Sequence, residues 1–157
     1  MAGKVETRLK ELGIVLPAAP APAANYVPWV VSQGMAFIAG QIPIQDGKPT
    51  FVGKLGREFT IEQGQQAARL CALNVLAQLK AACGGDLDKA VRCAKVGAFV
   101  NCTPEFNDQP QVVNGASELL GEVFGEAGRH ARSAVGVAVL PLDAPVEVEL
   151  IVEVATS

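Results

Sequence analysis

The stretch GRHARSAVGVAVLPLDAPVEVELIVEV, residues 128–154, decides the fold of this chain. It contains two runs of strand-forming residues, separated by the segment LPLDAP with its two prolines. Such runs on either side of a turn predict a closing β-hairpin. The charges within it are unusual for a core segment, because Arg132 begins the first strand while Glu147 and Glu149 stand near the start of the second.

Alternate residues of the second strand point to opposite sides of a sheet. One side carries only apolar residues, and the other carries Glu147, Glu149, Ile151 and Glu153. Glu153 is predicted to be a solvated surface residue, and Glu149 has no assigned role. Arg132 remains charged when buried, so it either forms an ion pair with one of these glutamates or binds a carboxylate ligand.

The register of the predicted hairpin separates Arg132 from Glu147. With the turn centred near Leu142 and Asp143, Arg132 lies opposite Glu153, and Glu147 lies opposite Ala138. The two charged residues are then some six positions apart along the ladder, roughly 20 Å. A site that contains both is therefore predicted to form between subunits.

The upstream chain predicts two helices between strands. A helix over residues 4–12 precedes a proline-rich extended segment. A β-hairpin over 29–44 with its turn at Ser32–Gly34 follows, and then a short strand at Thr50–Val52. The first long helix begins at Thr60 with a T-x-x-Q capping box and ends at Gly84–Gly85, and the second is capped by Asp108 and continues to about Phe124. Between them lies a strand over 89–100, one face of which carries Val91, Cys93, Lys95, Gly97 and Phe99.

The resulting order, β-β-β-α-β-α-β-β, predicts an α+β fold in which one sheet carries both long helices on one face. A single domain over 1–157 is expected, with residues 1–24 as an N-terminal helix and Pro/Ala-rich extended segment and 25–157 as the core. Nothing in the chain would cover the other face. The small residues Ala134, Gly136 and Ala138 would allow another sheet to approach, so a homo-oligomer is expected.

Composition narrows the class of function. Half of the 157 residues are hydrophobic, only 18% are charged, and the net charge is −3. This acidic balance disfavours a nucleic-acid partner. The N-terminus lacks the apolar run of a signal peptide, and no apolar segment approaches the roughly 18 residues of a membrane span, so a cytoplasmic protein without membrane contact is expected.

The sequence contains few of the residues that metal sites and hydrolase motifs require. Its four cysteines (Cys71, Cys83, Cys93, Cys102) show no C-x-x-C spacing, which predicts reduced, mostly buried thiols rather than a metal site or a disulfide framework. There is no G-x-S-x-G, P-loop, G-x-G-x-x-G or H-E-x-x-H motif. His130, the single histidine, is predicted to be a loop residue at the entrance of a strand.

Four blocks of sequence together resemble the reactive intermediate (imine/enamine) deaminase family, the YjgF-type proteins also called RidA. They are AGQIPI (39–44), QPQVVNGASELL (109–120), HARSAVGVAVLP (130–141) and VEVELI (146–151). The resemblance extends from about Pro20 to Val154, and the blocks follow the family's order. The longer N-terminus with NYVPWV is similar to a longer-chain subgroup of that family.

The resemblance implies a chorismate-mutase-like fold and a homotrimer whose sheets line a central barrel, with ligand clefts at the subunit interfaces. It further implies hydrolysis of reactive 2-imino or 2-enamino acids to 2-oxo acids and ammonia, without cofactor or metal. In that reading Arg132 binds the substrate carboxylate, and Glu147 positions or activates the attacking water. The remaining residues of the cleft are Tyr26, Gly40, Gln41 and Asn114, with Ala39 and Ala134 where many members have serine and cysteine.

Two other functions are consistent with the same residues. A non-catalytic or regulatory trimer could bind small acids in the same clefts, and the loss of polar groups at Ala39 and Ala134 favours this slightly. Some members of the family are named endoribonucleases or translation inhibitors, but the acidic charge of this chain argues against RNA as its substrate.

Overall fold

The structure is a computed structural model, and it describes residues 3–19 and 25–155. In these ranges the helices are α1 (Lys4–Glu11), α2 (Ile61–Ala82) and α3 (Gln109–Phe124). The strands are β1 (Trp29–Ser32), β2 (Met35–Gln41), β3 (Ile44–Gln45), β4 (Lys48–Pro49), β5 (Ala90–Asn101), β6 (Ala131–Val137) and β7 (Val146–Val154). The predicted helix near the N-terminus is thus confirmed as α1, and residues 14–19 after it have no regular structure. Residues 20–24 of the predicted extended segment lie outside the described residues.

Five strands form one mixed sheet in the order β1-β2-β7-β5-β6. All neighbouring pairs are antiparallel except β5 and β6, which are parallel because α3 connects them as a crossover. Helices α2 and α3 pack against each other and against one face of this sheet, and the apolar core lies between these layers. The predicted α+β architecture is confirmed.

Local sequence signals define the first hairpin and the first long helix. Gln33 and Gly34 form a two-residue turn between β1 and β2, with φ angles of 53° and 75° that suit a hairpin turn with both central residues left-handed. At the start of α2 the Gln63 backbone N–H donates to the Thr60 hydroxyl at 3.2 Å, and the Thr60 N–H donates to the Gln63 side chain at 2.9 Å. The predicted capping box is therefore confirmed.

The predicted third strand at Thr50–Val52 is wrong. A tight turn at Asp46 and Gly47, again with positive φ at both residues, closes a small two-stranded ribbon of β3 and β4 earlier in the chain. Ile44 pairs with Pro49 in this ribbon, which is separate from the main sheet. After Pro49 the Phe51 ring packs edge to face against the Phe59 ring, with the ring centroids 5.7 Å apart.

The predicted closing hairpin is also wrong, because β6 and β7 do not pair with each other. Strand β5 lies between them and pairs with both. The connecting segment instead crosses the end of β5, where the Asn101 side-chain amide donates to the Ala144 carbonyl at 3.1 Å and to the Asp143 carboxylate at 2.9 Å. These bonds, together with one from the Asn101 N–H to the Pro145 carbonyl, direct the chain past β5 before β7 begins.

The predicted alternation along β5 holds only for its second half. The register of β5 against β7 shifts between Ala90 and Arg92 and again between Cys93 and Lys95, as β-bulges do. Cys93 is consequently buried on the helix side, while Lys95 lies on the opposite face with Phe99. A strict period of two therefore places the first half of the strand on the wrong faces.

The sheet has a helix face and an open face. The helix face carries the buried residues Val146, Val148, Leu150, Val152 and Val154 of β7. On the open face, two rows of cross-strand neighbours are Glu147, Phe99, Val135 and Glu149, Gly97, Ser133. Among the described residues neither long helix packs on this face, and its apolar side chains Val30, Phe37 and Val135 are 48%, 44% and 46% exposed.

The small residues Ala134 and Gly136 of β6 were predicted to let another sheet approach, but both lie on the helix face and not on the open face. Ala134 packs against the core on the helix side. A side chain at Gly136 would meet the Cys102 sulfur and the Gln109 amide, each at 2.9 Å from the added carbon. These positions are small because of packing within one chain.

Candidate functional site

Arg132 lies on β6, at the edge of the sheet, and its guanidinium is held beneath α3. Nη1 donates to the Asn114 side-chain oxygen at 2.8 Å and to the Ser117 hydroxyl at 3.1 Å. Nη2 donates to the Pro110 carbonyl at 3.4 Å. Pro110, Asn114 and Ser117 are spaced by three or four residues on α3, so one face of this helix supplies all three acceptors.

The guanidinium still has donors available for a ligand. An arginine has five N–H donors, of which the contacts with α3 use three. Nε and the second N–H of Nη2 have no acceptor among the described residues. Nε and Nη2 lie along one edge of the planar group, and such an edge binds a carboxylate through two parallel hydrogen bonds.

The hydrogen-bond chain continues from Arg132 to His130. The Ser117 oxygen is 2.9 Å from His130 Nε2, and His130 Nδ1 is 2.6 Å from the Gly128 carbonyl oxygen. Asn114, Ser117, His130 and Arg132 are together called the arginine network below. All four side chains are partly buried.

Glu147 lies on β7, on the open face, beside a bulge in β2. The register of β2 against β7 shifts between Ile38 and Gln41, and the shift brings Gly40 next to the Glu147 side chain. A carbon added at Gly40 would be 2.6 Å from the Glu147 Oε2 atom. Gly40 therefore leaves the space that the carboxylate occupies. Gln41 pairs with Val148, and its side chain donates to the Ala39 carbonyl at 3.0 Å.

The environment of Glu147 favours its neutral form. Partial burial removes water from the carboxylate and raises its pKa above the ordinary value, and the neighbouring charge of Glu149 raises it further. The carboxylate makes no hydrogen bond to the described residues. Such a group accepts protons closer to neutral pH than an exposed glutamate does.

Within one chain Arg132 and Glu147 lie on opposite faces of the sheet. Arg132 is in the row of Val96 and Leu150, whereas Glu147 is in the row of Phe99 and Val135. The two residues are thus two strands and three positions apart, roughly 14 Å between Cα atoms. The predicted hairpin register was wrong, but the two side chains are still separated within one chain, because they lie on opposite faces of the sheet.

The structure brings the remaining predicted site residues together only in part. Asn114 contacts Arg132, while Ala39, Gly40 and Gln41 lie beside Glu147. Ala134 is two residues beyond Arg132 on the helix side of β6. Tyr26 precedes β1 and is 52% exposed.

Sequence reasoning missed Ser117 and assigned no contact to His130. His130 is at the entrance of β6, as predicted, but its ring is a member of the arginine network. The available signal was helical spacing, because Ser117 follows Asn114 by three residues and therefore shares its face of α3.

Other kinds of site receive no support from the residues that the structure describes. Over residues 3–19 and 25–155, no group of three or more His, Cys, Asp or Glu side chains is placed to hold a metal ion. The four cysteines are free thiols, with Cys71, Cys83 and Cys93 buried. No helix within these ranges is both long and apolar enough to span a membrane.

Comparison with known proteins assigns the family. The family model described as "YjgF/chorismate_mutase-like, putative endoribonuclease" matches residues 6–154. This chain belongs to the YjgF/chorismate mutase-like family. Its fold is accordingly the chorismate-mutase-like α+β fold that the sequence predicted.

Individual relatives and solved structures match over nearly their whole length. Protein TCP17 of Trypanosoma cruzi is 51% identical over 97% of this chain and 95% of its own. The crystal structure of a putative endoribonuclease from Shewanella oneidensis superimposes with a TM-score of 0.93 at 36% identity, covering 97% of this chain and 100% of the other. E. coli TdcF, whose structure contains bound serine, has a TM-score of 0.65 at 29% identity, covering 87% and 94%.

Proposed function

We propose that this protein hydrolyses reactive 2-imino or 2-enamino acids to 2-oxo acids and ammonia. The observation that carries the proposal is the guanidinium of Arg132, which α3 holds by three hydrogen bonds while one edge remains available to a carboxylate. A substrate of this class has a carboxylate next to its reactive carbon, so binding at Arg132 fixes the carbon in position.

The chemistry requires a water molecule and a proton acceptor but no strong nucleophile, because a protonated imine carbon is already electrophilic. Water forms a C–O bond to that carbon while Glu147 accepts one of its protons. The C=N electron pair moves to nitrogen, which gives a carbinolamine. Glu147 then returns its proton to the nitrogen and accepts the hydroxyl proton as the C–N bond breaks, so that ammonia leaves and the C=O bond forms. The raised pKa of Glu147 suits it to accept the proton of water and return it.

We further propose that Arg132 of one subunit and Glu147 of a neighbour share each cleft in a homotrimer. The sheet separates the two side chains within one chain. The open face has exposed Val30, Phe37 and Val135, an apolar surface that association would cover. Light scattering should give three times the chain mass of 16.3 kDa. A monomer at the concentration of the assay would contradict the shared cleft.

The serine bound to E. coli TdcF supports a small amino-acid-like ligand. Serine carries the α-carboxylate that Arg132 is proposed to bind, and imines derived from amino acids carry the same group. The proposal for this chain is restricted to that chemical class, and the side chain of the substrate is left open.

The test is an assay in which a threonine or serine dehydratase generates the enamine in situ and 2-oxo acid release is followed. The wild type should exceed the spontaneous rate, and Arg132→Ala should lower kcat/KM by about 100-fold or more, because a charge-assisted bidentate contact is lost. Arg129→Ala is the matched control, since Arg129 is an exposed neighbour whose one ion pair within the described part of the chain is with Glu126. A wild type that adds nothing to the spontaneous rate would disprove the proposed activity.

A non-catalytic small-acid-binding trimer is the second candidate. Ala39 and Ala134 place methyl groups at two positions of the predicted cleft, so neither side chain can donate a hydrogen bond to a reacting group. Saturable binding of 2-oxobutanoate without turnover in the same assay would select this function.

A further inference from the structure

We infer that Ser117 and His130 are positioning residues that orient the guanidinium of Arg132 toward the substrate carboxylate. The inference rests on the proposed function for the identity of the ligand. The orientation itself rests on the hydrogen bonds of the arginine network.

The direction of each hydrogen bond in the arginine network follows from its last acceptor, the Gly128 carbonyl. The Gly128 carbonyl can only accept, so His130 Nδ1 carries the hydrogen across the 2.6 Å contact. In the neutral ring Nε2 is then an acceptor, and it receives the hydroxyl hydrogen of Ser117 at 2.9 Å. The lone pairs of the Ser117 oxygen are thereby directed at Arg132 Nη1, which donates at 3.1 Å.

This directionality gives His130 a role that a serine alone could not fulfil. A hydroxyl group rotates freely, and one whose hydrogen pointed at Arg132 would repel the guanidinium instead of accepting from it. His130 fixes the rotor by accepting its hydrogen. Ser117 and Asn114 then both accept from Nη1 and the Pro110 carbonyl accepts once from Nη2, so Nε and one hydrogen of Nη2 are left for a ligand.

Ser117 is not arranged as a nucleophile, although a serine next to a histidine invites that reading. It lies in the middle of α3 rather than on a strand-to-helix turn. The Ser117 oxygen already accepts from Arg132. The group that follows Ser117 and His130 in the series of hydrogen bonds is the neutral Gly128 carbonyl, whereas a catalytic triad has a carboxylate there.

The test compares Ser117→Ala, His130→Phe and the double variant with the wild type. Each single variant should raise KM for the imine, and the Kd of 2-oxobutanoate measured by calorimetry, about three- to tenfold, while kcat changes less than about twofold. The double variant should be no worse than either single one, because both remove the same chain of bonds. His130→Gln, which can still accept from Ser117, should restore most of the affinity, and Arg129→Ala should leave it unchanged.

A readout without ligand separates this inference from the proposed function. The ¹⁵N–¹H signals of the Arg132 Nη1 hydrogens should be resolved in the wild type, because fixed hydrogen bonds slow rotation of the group, and should average in Ser117→Ala and His130→Phe. Resolved signals in both variants would overturn the positioning role even if the protein proved inactive. A loss of kcat by about 100-fold at constant KM in Ser117→Ala would overturn it in favour of a direct catalytic role.

Discussion

The two sides of strand β7 differ in how completely their side chains are accommodated within one chain. On the helix face, valine and leucine residues are buried against α2. On the open face, Glu147 and Glu149 stand among exposed apolar residues, and Glu147 has a raised pKa with no hydrogen-bond partner among the described residues. One side of the strand is a packed core, whereas the other is a partly exposed surface.

The same contrast separates the two halves of the candidate site. Arg132 is oriented by three acceptors on α3 and by the chain that ends at the Gly128 carbonyl. Glu147 is merely given room by Gly40. The arginine half is therefore preorganised in a single chain, whereas no hydrogen bond among the described residues orients the carboxylate of the glutamate half.

The largest expected effect concerns the stability difference between the two faces. Leu150→Ala should lower the free energy of unfolding by about 3 kcal/mol, because Leu150 is 1% exposed and its truncation leaves a cavity under α2. Glu149→Ala, one residue earlier on the open face, should change it by less than about 0.5 kcal/mol. Urea denaturation followed by circular dichroism measures both, and equal losses would show that the two faces are packed alike.

The next largest effect tests whether the two halves of the site come from different chains. Arg132→Ala and Glu147→Ala subunits should each be inactive alone. Refolded together in equal amounts, they should regain about a quarter of the wild-type activity, since that fraction of interfaces pairs an intact arginine with an intact glutamate in a cyclic oligomer.

As the control for this mixing experiment, each variant is refolded with wild-type protein. The mixture must recover the activity expected from the fraction of wild-type subunits in it. Failure of the two variants to complement each other, in oligomers that demonstrably contain both, would place the whole site in one chain or remove Glu147 from it.

Much of the fold could be predicted because its signals are local. The capping box at Thr60, the turn at Gln33–Gly34 and the alternation along β7 each depend on a few neighbouring residues. The wrong hairpin shows the limit of such reasoning. Pairing of β5 with both β6 and β7 is long-range, and the bonds of Asn101 that direct the chain across β5 have no local signature.

For the site, the sequence suggested candidate residues but not how they contact one another. Arg132 is in contact with Asn114, and Gly40 is beside Glu147, and the sequence predicted neither contact. Ser117 and His130 were missed as members of the network, because the contact between them depends on how α3 packs over the entrance of β6. The register shifts in β2 and β5 were also not predicted, because the prediction assumed that side chains alternate between the two faces without interruption.

The smallest expected effect concerns the pH dependence that the open face gives to stability. Burial first, and the charge of Glu149 second, raise the pKa of Glu147 in the folded chain above its ordinary value of 4.5. Below that value the group is protonated in both states and contributes nothing. As pH rises, the unfolded chain ionises first and binds fewer protons than the folded one, so the folded state loses stability until the pH exceeds the raised pKa.

Glu147→Gln lacks this penalty and should be more stable than the wild type near pH 7, by less than about 1 kcal/mol because the carboxylate is partly solvated. The difference should vanish well below pH 4.5, where both side chains are neutral. Glu149→Gln, which removes only the second cause, should give a smaller gain of the same sign. Urea midpoints across this pH range at one protein concentration measure all three. A Gln variant less stable than wild type at neutral pH would mean that the Glu147 carboxylate gains a favourable partner in the assembled protein.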